Sequence, residues 1–222
     1  MSIQENRMVS VDFHSHTIFS NDSHTRPESL IATSRRRGLD RVVITDHNTI
    51  AGALAAHALD PELVIIGEEI MTTHGEILAA YVTEEIPPGL SPQETIKCLR
   101  SQGAFISVSH PFDSWRSGAW KLEYLLEIAP LVDAIEIFNA RCMIPAGNQR
   151  ASEFARQKHL PGTAGSDAHA AFELGAATLL LPQFADPDEL RIVIREGKVQ
   201  GRLSPFWVHF FSRYAHLHKK VV

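Results

Sequence analysis

Continuous apolar runs alternate with amphipathic segments along most of the chain, and this alternation predicts a succession of strands and helices. The predicted strands cover residues 9–13, 41–45, 63–67, 76–82, 104–109, 134–138, 160–164 and 176–181. The predicted helices cover residues 27–37, 50–59, 91–102, 121–129, 148–158 and 186–196. About seven strands alternating with helices favour an α/β fold. Runs that are apolar throughout are typical of parallel strands buried on both faces.

Residues able to bind metals follow nearly every predicted strand. They are His14 and His16, Asp46 and His47, Glu68 and Glu69, His110, Glu136 and Asn139, and Asp167 and His169. In a parallel barrel the carboxyl ends of the strands lie on one face, where active sites form. An open sheet gathers functional groups at one switch point and does not need a ligand on almost every strand. This convergence favours a barrel over an open sheet.

His14 and His16 give the strongest local indication of a metal site. They end a β-branched run two positions apart, so both imidazoles can point to one object from an extended backbone. Each such residue alone has an ordinary explanation as a loop hydrogen-bonding group or a helix cap. The combination predicts a transition-metal site. Other histidines are expected to lie outside it, with His74 undecided: His24, His57, His159, His209, His216 and His218.

The composition limits the class of protein. The chain has 222 residues, of which 44% are hydrophobic and 21% charged, and one domain over residues 1–222 is expected. A formal charge of −5 argues against a strong nucleic-acid-binding face. No apolar run is long enough to span a membrane, and the amino terminus lacks signal-peptide features. With only two distant cysteines, Cys98 and Cys142, a cytoplasmic location is expected.

Together these motifs resemble those of the PHP (polymerase and histidinol phosphatase) family of metal-dependent phosphoesterases. The resemblance rests on residues 12–16 (DFHSH), 44–48 (ITDHN), Gly67-x-Glu69, His110-Pro111 and 165–169 (GSDAH). It covers residues 9–181, nearly the whole chain. It implies a distorted (β/α)7 barrel with two or three divalent metal ions (Mn, Fe or Zn) at the carboxyl ends of the strands. Residues 199–222 are expected to form a C-terminal extension packed on the barrel.

The resemblance also implies a set of metal ligands for a first, a second and a third ion. The three groups are His14, His16, Glu69 and Asp167; Asp22, His47 and His169; and Glu69 again with His110 and Glu76. Asp12 would orient one of the ligands. Glu76 departs from the pattern, because many relatives have Gly-His-Ile-Leu where this chain has Gly-Glu-Ile-Leu. A carboxylate there should weaken the preference for zinc and favour a harder ion such as manganese or iron.

The chemistry expected of such a cluster is hydrolysis by a metal-activated hydroxide. The hypothesis is cleavage of a phosphomonoester or phosphodiester of a small phosphorylated substrate. His47, His169 and Asp167 are the predicted catalytic residues, and His47, His169 or a metal-bound water would protonate the leaving group. Neither a Gly-x-Ser-x-Gly motif nor a P-loop is present. The alternatives are hydrolysis of carbon esters, carbamates or amides at the same cluster, or a non-catalytic binding module.

Arg116, Arg141 and Asn139 are the predicted substrate-binding residues. Both arginines follow strand ends, and the guanidinium group matches the geometry of phosphate oxygens. A surface salt bridge is the alternative for each arginine. Asn139 could contact a metal-bound water or shape its turn.

The aromatic and basic segment 206–220 is predicted to be a terminal helix. Phe206, Phe210, Tyr214 and Leu217 fall on one stripe of that helix. Burial of the stripe against the barrel is the first interpretation, a homodimer interface the second, and a helix on a membrane surface the third.

Overall fold

The strands form one sheet that curls into a nearly closed barrel. The computed structural model describes residues 7–116 and 118–219. Its strands are β1 (Met8–Ser15), β2 (Arg41–Ile44), β3 (Val64–Met71), β4 (Glu76–Ala80), β5 (Phe105–Val108), β6 (Ala134–Asn139), β7 (Gly162–Gly165), β8 (Ala177–Pro182) and β9 (Lys198–Gly201). Its helices are α1 (Pro27–Arg36), α2 (Ala51–Leu59), α3 (Pro92–Ser101), α4 (Leu122–Ile128), α5 (Pro145–Gln157), α6 (Pro187–Val193) and α7 (Val208–Lys219).

The sheet order is β7-β6-β5-β4-β3-β2-β1-β8-β9. The predicted α/β barrel is confirmed, but the expectation of uniformly parallel strands is wrong for β4 and β8. Strand β4 runs antiparallel to both β3 and β5, and β8 runs antiparallel to β1. The reason for β4 is its short connection, since the four residues 72–75 are too few for the crossover that a parallel pair requires. Strand β9 was not predicted, and it pairs antiparallel with β8.

Strand β1 pairs with β2 along one edge. Along its other edge it has two neighbours, and this closes the barrel. Its first half pairs with β8, while its end is bonded to the segment that follows β7. There the His16 amide donates to the Ala168 carbonyl at 2.9 Å, and the Asp167 amide donates to the His14 carbonyl at 2.7 Å. Gly165 permits this approach, because a Cβ at that position would overlap the backbone and Cβ of His14. Closure therefore brings the predicted ligands of β1 and β7 together.

The helices cover the outside of the barrel. Leu99 of α3, Leu125 of α4 and Phe154 of α5 pack in one apolar cluster with Ile106 and Ile135 of the strands. Helix α3 begins with a capping box, in which Ser91 and Glu94 each accept a hydrogen bond from the other's amide. The helices thus follow the apolar periodicity of the sequence closely.

Helix α7 differs from its prediction. Its buried residues are Val208 and Ala215, whereas Phe206, Phe210, Tyr214 and Leu217 are exposed. The expectation that the aromatic stripe is buried against the barrel is therefore wrong. The small face of the helix lies on the barrel instead, and the aromatic side chains remain at the surface.

Two further observations concern the described part of the chain. Cys98 and Cys142 are both free thiols. Among residues 7–116 and 118–219, no helix has the length and apolar character required to cross a membrane.

Glu68 is a buried carboxyl group that predicts a pH-dependent stability. One of its oxygens accepts a hydrogen bond from the Ile86 amide at 3.0 Å, and the other has no hydrogen-bond partner among the described residues. Burial raises the pKa of Glu68 to about 8, from 4.5. The folded protein therefore retains a proton that the unfolded chain releases, and its free energy of unfolding falls as pH rises between these two values.

We expect Glu68→Gln, which is neutral at every pH, to remove this fall. Between pH 5 and pH 9 the free energy of unfolding of the variant should rise by on the order of 2–4 kcal/mol relative to that of the unaltered protein, because glutamine has no proton to release. Urea unfolding at the two pH values measures the difference. Glu84→Gln, an exposed carboxylate on the connection after β4, is the matched control. Identical pH profiles for Glu68→Gln and Glu84→Gln would show that Glu68 is not the titrating group.

Candidate metal centre

One mouth of the barrel collects all nine predicted metal ligands. His14 and His16 lie at the end of β1, and the others lie at or just after strand ends or, for Asp22, in the loop that follows β1: Asp22, His47, Glu69, His110, Asp167 and His169. Glu76 is the exception, since it is the first residue of β4. Because β4 runs in the reverse direction, its beginning lies at the same mouth as the ends of its neighbours.

The first predicted group forms a compact, fully buried set. The Nε2 atoms of His14 and His16 are 3.1 Å apart. Glu69 Oε2 lies 3.3 Å from His14 Nε2, and Asp167 Oδ1 lies 3.3 Å from His16 Nε2. Ligands of one tetrahedral ion, bonded at about 2.0–2.2 Å, are separated by roughly 3.3–3.5 Å. The observed spacings fit such an ion.

The second predicted group lies beside the first. Asp22 Oδ2 is 3.1 Å from His169 Nε2 and 3.5 Å from His47 Nε2. His16, His47 and His169 each have one ring nitrogen that lies within 4.8 Å of the corresponding nitrogens of the other two. His16 is therefore close to both groups, a position that the sequence did not indicate.

The third predicted group centres on Glu69. His110 Nε2 lies 3.1 Å from Glu69 Oε1 and 3.4 Å from Glu76 Oε2. His47 Nδ1 lies 3.1 Å from Glu69 Oε2 and 3.9 Å from Glu76 Oε1. Glu76 thus lies at the predicted third group. It is near Glu69, whose carboxylate contacts residues of all three groups.

Hydrogen bonds hold the imidazoles of His14 and His16 so that Nε2 faces the centre. His14 Nδ1 donates to Glu136 at 2.9 Å, and His16 Nδ1 donates to the hydroxyl of Ser20 at 3.1 Å. Such outer partners fix the ring orientation and the tautomer of metal-binding histidines. Glu136 was noticed at its strand end, but only the structure assigns it to His14.

Asp12 has a related role on the backbone. Its carboxylate accepts hydrogen bonds from the amides of His14 at 3.3 Å, Ser166 at 2.8 Å and Gly175 at 2.9 Å. It therefore ties the end of β1 to the segment that carries Asp167, consistent with the expectation that it orients ligands.

The charges in the cluster depend on each other. Burial works to raise the pKa of the Glu69 carboxyl, but the imidazoles of His14 and His47 outweigh it and hold that pKa well below its usual value. Burial, together with His169 and His47, lowers the pKa of His16 to about 3. A neutral imidazole and an ionised carboxylate are the forms that bind metals.

Unpartnered oxygens and a strained backbone also mark the site. Glu69 Oε2 and Asp167 Oδ1 are buried without a hydrogen-bond partner among the described residues. His110 and Asp167 both have positive φ angles, of 23° and 53°. Residues other than glycine seldom adopt positive φ angles, and active sites are one of the places where they do. Residues with this donor chemistry and these open oxygens fit divalent metal ions.

The three predicted substrate-binding residues have different surroundings. Arg116 forms ion pairs with Asp113, at 3.3 Å, and with Asp167, and it lines the cavity above the cluster. Asn139 is fully buried, and its amide donates to Asp167 at 3.1 Å and to Glu136 at 3.2 Å. The structure therefore places Asn139 beneath Asp167, where it orients that ligand and does not face the cavity.

Arg141 is committed largely to structural contacts. Its Nε lies 3.2 Å from a carboxylate oxygen of Glu173, and a terminal nitrogen donates to the Val208 carbonyl and to the Ser212 hydroxyl of α7. The side chain is buried at the edge of the cavity. The surface salt bridge considered from the sequence is replaced by a buried one.

A cavity of about 410 Å³ opens above the cluster. Asp22, His47, Glu76 and His169, all predicted metal ligands, line one side of it. Its opposite side includes His209 of α7, which was not among the predicted site residues. Burial, reinforced by Arg141 and Arg116, lowers the pKa of His209 to about 4. The spacing of Phe206, His209, Phe210 and Arg213 along one helix face was the signal that could have identified this wall.

His74, which the sequence left undecided, and several of the histidines expected to lie outside the site have partners elsewhere. His74 stacks on Tyr124 with ring centroids 3.7 Å apart, and His57 Nδ1 bonds to the Val64 carbonyl at 2.8 Å. His24 and His218 meet edge to face.

The fold and the site together define a class: an α/β barrel whose strand ends carry histidine and carboxylate groups suited to divalent metals. The chain belongs to the PHP family. A model of the PHP domain matches residues 12–100, and a model described as PHP-associated matches residues 145–199. The family resemblance expected from the sequence is confirmed.

Two uncharacterized proteins of Methanocaldococcus jannaschii are similar to this chain. They are 35% identical over 145 residues and 33% identical over 187 residues. The first match covers 60% of this chain and 82% of that protein, and the second covers 82% and 75%.

A solved structure from Bacteroides vulgatus, a two-domain protein containing a predicted PHP-like metal-dependent phosphoesterase, has the same fold. Its TM-score is 0.73 at 17% sequence identity. The likeness covers 88% of this chain and 65% of that one, so this chain spans just under two thirds of that protein.

We expect Mn²⁺ to raise the melting temperature of the chelator-treated protein by about 5–10 °C at a hundredfold excess over the Kd. His16→Ala should lose most of this increase, because His16 borders two of the ligand groups. His159→Asn, an exposed histidine before β7 at the other end of the strands, should retain it. Thermal unfolding with and without Mn²⁺, and metal analysis of the dialysed proteins, measure the effect. An unaltered protein that neither Mn²⁺, Zn²⁺ nor Fe²⁺ stabilises would contradict a metal site.

Proposed function

We propose that this chain is a metal-dependent hydrolase of phosphoric esters, acting on a small phosphorylated substrate. One observation carries the proposal: histidine and carboxylate side chains from six strands, or from the loops that follow them, meet beneath a cavity that Arg116 borders. Divalent metals there would lower the pKa of water to give hydroxide near neutral pH and would neutralise phosphoryl charge. Membership of the PHP family supports the same reaction class.

The ligand assignment follows the three observed groups. His14, His16, Glu69 and Asp167 would hold a first ion, and Asp22, His47 and His169 a second. Glu69, His110 and Glu76 would hold a third. The carboxylate of Glu76 supports manganese or iron over zinc, because oxygen ligands favour harder ions.

Arg116 would bind the phosphate group of the substrate. Its guanidinium group lies beside Asp167, and burial, which acts to lower its pKa, is outweighed by Asp167 and Glu69, so the pKa is raised. A permanent positive charge at the rim of the cluster would orient phosphoryl oxygens and stabilise charge that develops on them. Arg141 would contribute positive potential from the cavity edge while it holds α7.

His47 and His169 would handle the leaving-group proton. Both line the cavity, and both bond to Asp22 through Nε2, at 3.5 and 3.1 Å. Burial acts to lower the pKa of His47, but Glu69 and Asp22 outweigh it and raise that pKa well above its usual value. An imidazole that binds the second ion is neutral, so only a histidine released from that ion would donate a proton to a departing alkoxide; with both histidines bound, a metal-bound water would donate it.

We expect the Mn²⁺-supplemented protein to hydrolyse at least one member of a panel of phosphomonoesters and phosphodiesters. Asp167→Asn, which keeps a side chain tolerant of positive φ but removes the charge, should lower kcat/KM at least about 100-fold. His14→Ala should have a similar effect, while circular dichroism and urea unfolding show an intact fold. His159→Asn again serves as the control. Activity of Asp167→Asn near that of the unaltered protein would refute the first ligand group.

We expect Arg116→Ala to lower phosphate-ester hydrolysis by about 100-fold, and Arg116→Lys to recover part of it, because lysine keeps the charge but loses the fork. Hydrolysis of p-nitrophenyl acetate should change far less, since a carbon ester has no phosphoryl charge. Arg150→Ala, an exposed arginine over the Phe112 ring, is the matched control. Equal phosphatase activity in Arg116→Ala and Arg150→Ala would favour hydrolysis of carbon esters, carbamates or amides.

A further inference from the structure

Helix α7 lies across the mouth of the barrel and is fixed near both ends. Arg141 donates to the Val208 carbonyl at its beginning at 3.0 Å. Lys219 Nζ donates to the carbonyls of Ile18 and Ser20, each at 2.6 Å, at its end. Ile18 and Ser20 belong to the loop after β1 that carries metal ligands. The helix therefore has a defined position above the cluster.

The face of α7 turned to the cavity carries aromatic rings beside the polar side chains of His209, Ser212 and Arg213. Phe206, just before the helix, and Phe210 line the cavity, and their rings meet edge to face at a centroid distance of 5.6 Å. Trp115, from the loop after β5, lines the same cavity, as does Met143. Phe206 is 65% exposed, Phe210 60% and Trp115 72%. Apolar rings with this much free surface gain when a ring of a ligand covers them.

The polar end and the aromatic end of the cavity dictate how a substrate would lie. His14 and His16 at the floor are fully buried, so a group bound over the cluster can extend only toward the mouth. A phosphate ester held at the cluster by Arg116 would therefore direct its leaving group between Trp115 and the rings of α7. His209 on this wall has a pKa lowered to about 4 and adds no charge near neutral pH, whereas Arg213 is a charged residue of α7 that lines the same cavity.

We propose that Phe206 and Phe210 of α7, together with Trp115, form a leaving-group site that selects phosphate esters with an apolar ring. This inference rests on the proposed phosphoesterase function. The ring would stack on or meet the edges of the three aromatic side chains, while the phosphate lies against Arg116 and the ligand cluster. The extension outside the motif-bearing part of the chain would then determine which ester is used.

Binding of two phosphonates that cannot be hydrolysed tests the site directly. Phenylphosphonate and methylphosphonate share the anionic group and differ in the ring. We expect calorimetry with the Mn²⁺-loaded protein to show tighter binding of phenylphosphonate by about fivefold to tenfold. Phe210→Ala should reduce this ratio to within about twofold and leave methylphosphonate affinity unchanged.

Phe211→Ala is the matched control for the same loss of a phenyl ring. Phe211 follows Phe210 on α7 but packs against Phe172 and Trp207, with centroid distances of 5.6 and 5.7 Å, and it does not line the cavity. The phenyl-to-methyl ratio should be unchanged in this variant. No preference in the unaltered protein, or an equal loss in Phe210→Ala and Phe211→Ala, would overturn the inference.

Hydrolysis of phenyl phosphate and methyl phosphate separates this inference from the function on which it rests. Phe210→Ala should lower kcat/KM for phenyl phosphate alone, by about the same factor as in binding. If the unaltered protein hydrolyses neither ester nor any other phosphate ester, the proposed function fails, while the phosphonate ratio still decides whether α7 binds the ring.

Discussion

The mouth of this barrel depends on the burial of two carboxylates, Glu69 and Asp167, neither of which is accessible to solvent. Buried negative charge is costly unless positive charge lies beside it. Imidazoles from several strands and the guanidinium group of Arg116 supply that charge from all sides. The same arrangement suits divalent cations, because a bound cation would supply the positive charge in place of the imidazole protons and would leave neutral nitrogen beside ionised oxygen. Electrostatic compensation and metal binding are thus two consequences of one geometry.

The reversal of β4 gives the site its third group. The four residues between β3 and β4 form a tight turn, so Glu76 at the start of β4 is opposite Met71 and close to Glu69 of the preceding strand. A regular parallel barrel would place the beginning of a fourth strand at the opposite mouth. The irregular direction of one strand therefore allows Glu76 to join His110 and Glu69.

The C-terminal helix connects the surface of the protein to its site. Arg141 is paired with Glu173 and bonded to α7, and Lys219 bonds to the loop after β1. Small residues of the helix face the barrel, which leaves its aromatic residues for the cavity and for solvent. Arg141, which the sequence predicted to bind substrate, thus acts mainly to hold α7 in place. Helix α7 in turn supplies the second wall of the cavity.

The sequence by itself determined the order of strands and helices apart from β9, the barrel, the family, and the ligand candidates at strand ends such as His14 and Asp167. These follow from local information, because apolar periodicity defines an element and its end. Only the tertiary structure decided the direction of β4 and β8, the burial of Asn139 beneath Asp167, and the place of His209 in the cavity wall. Periodicity shows that a helix has two faces but not what covers each face. Contacts such as that between Arg141 and Val208 join residues 67 positions apart, so no local pattern encodes them.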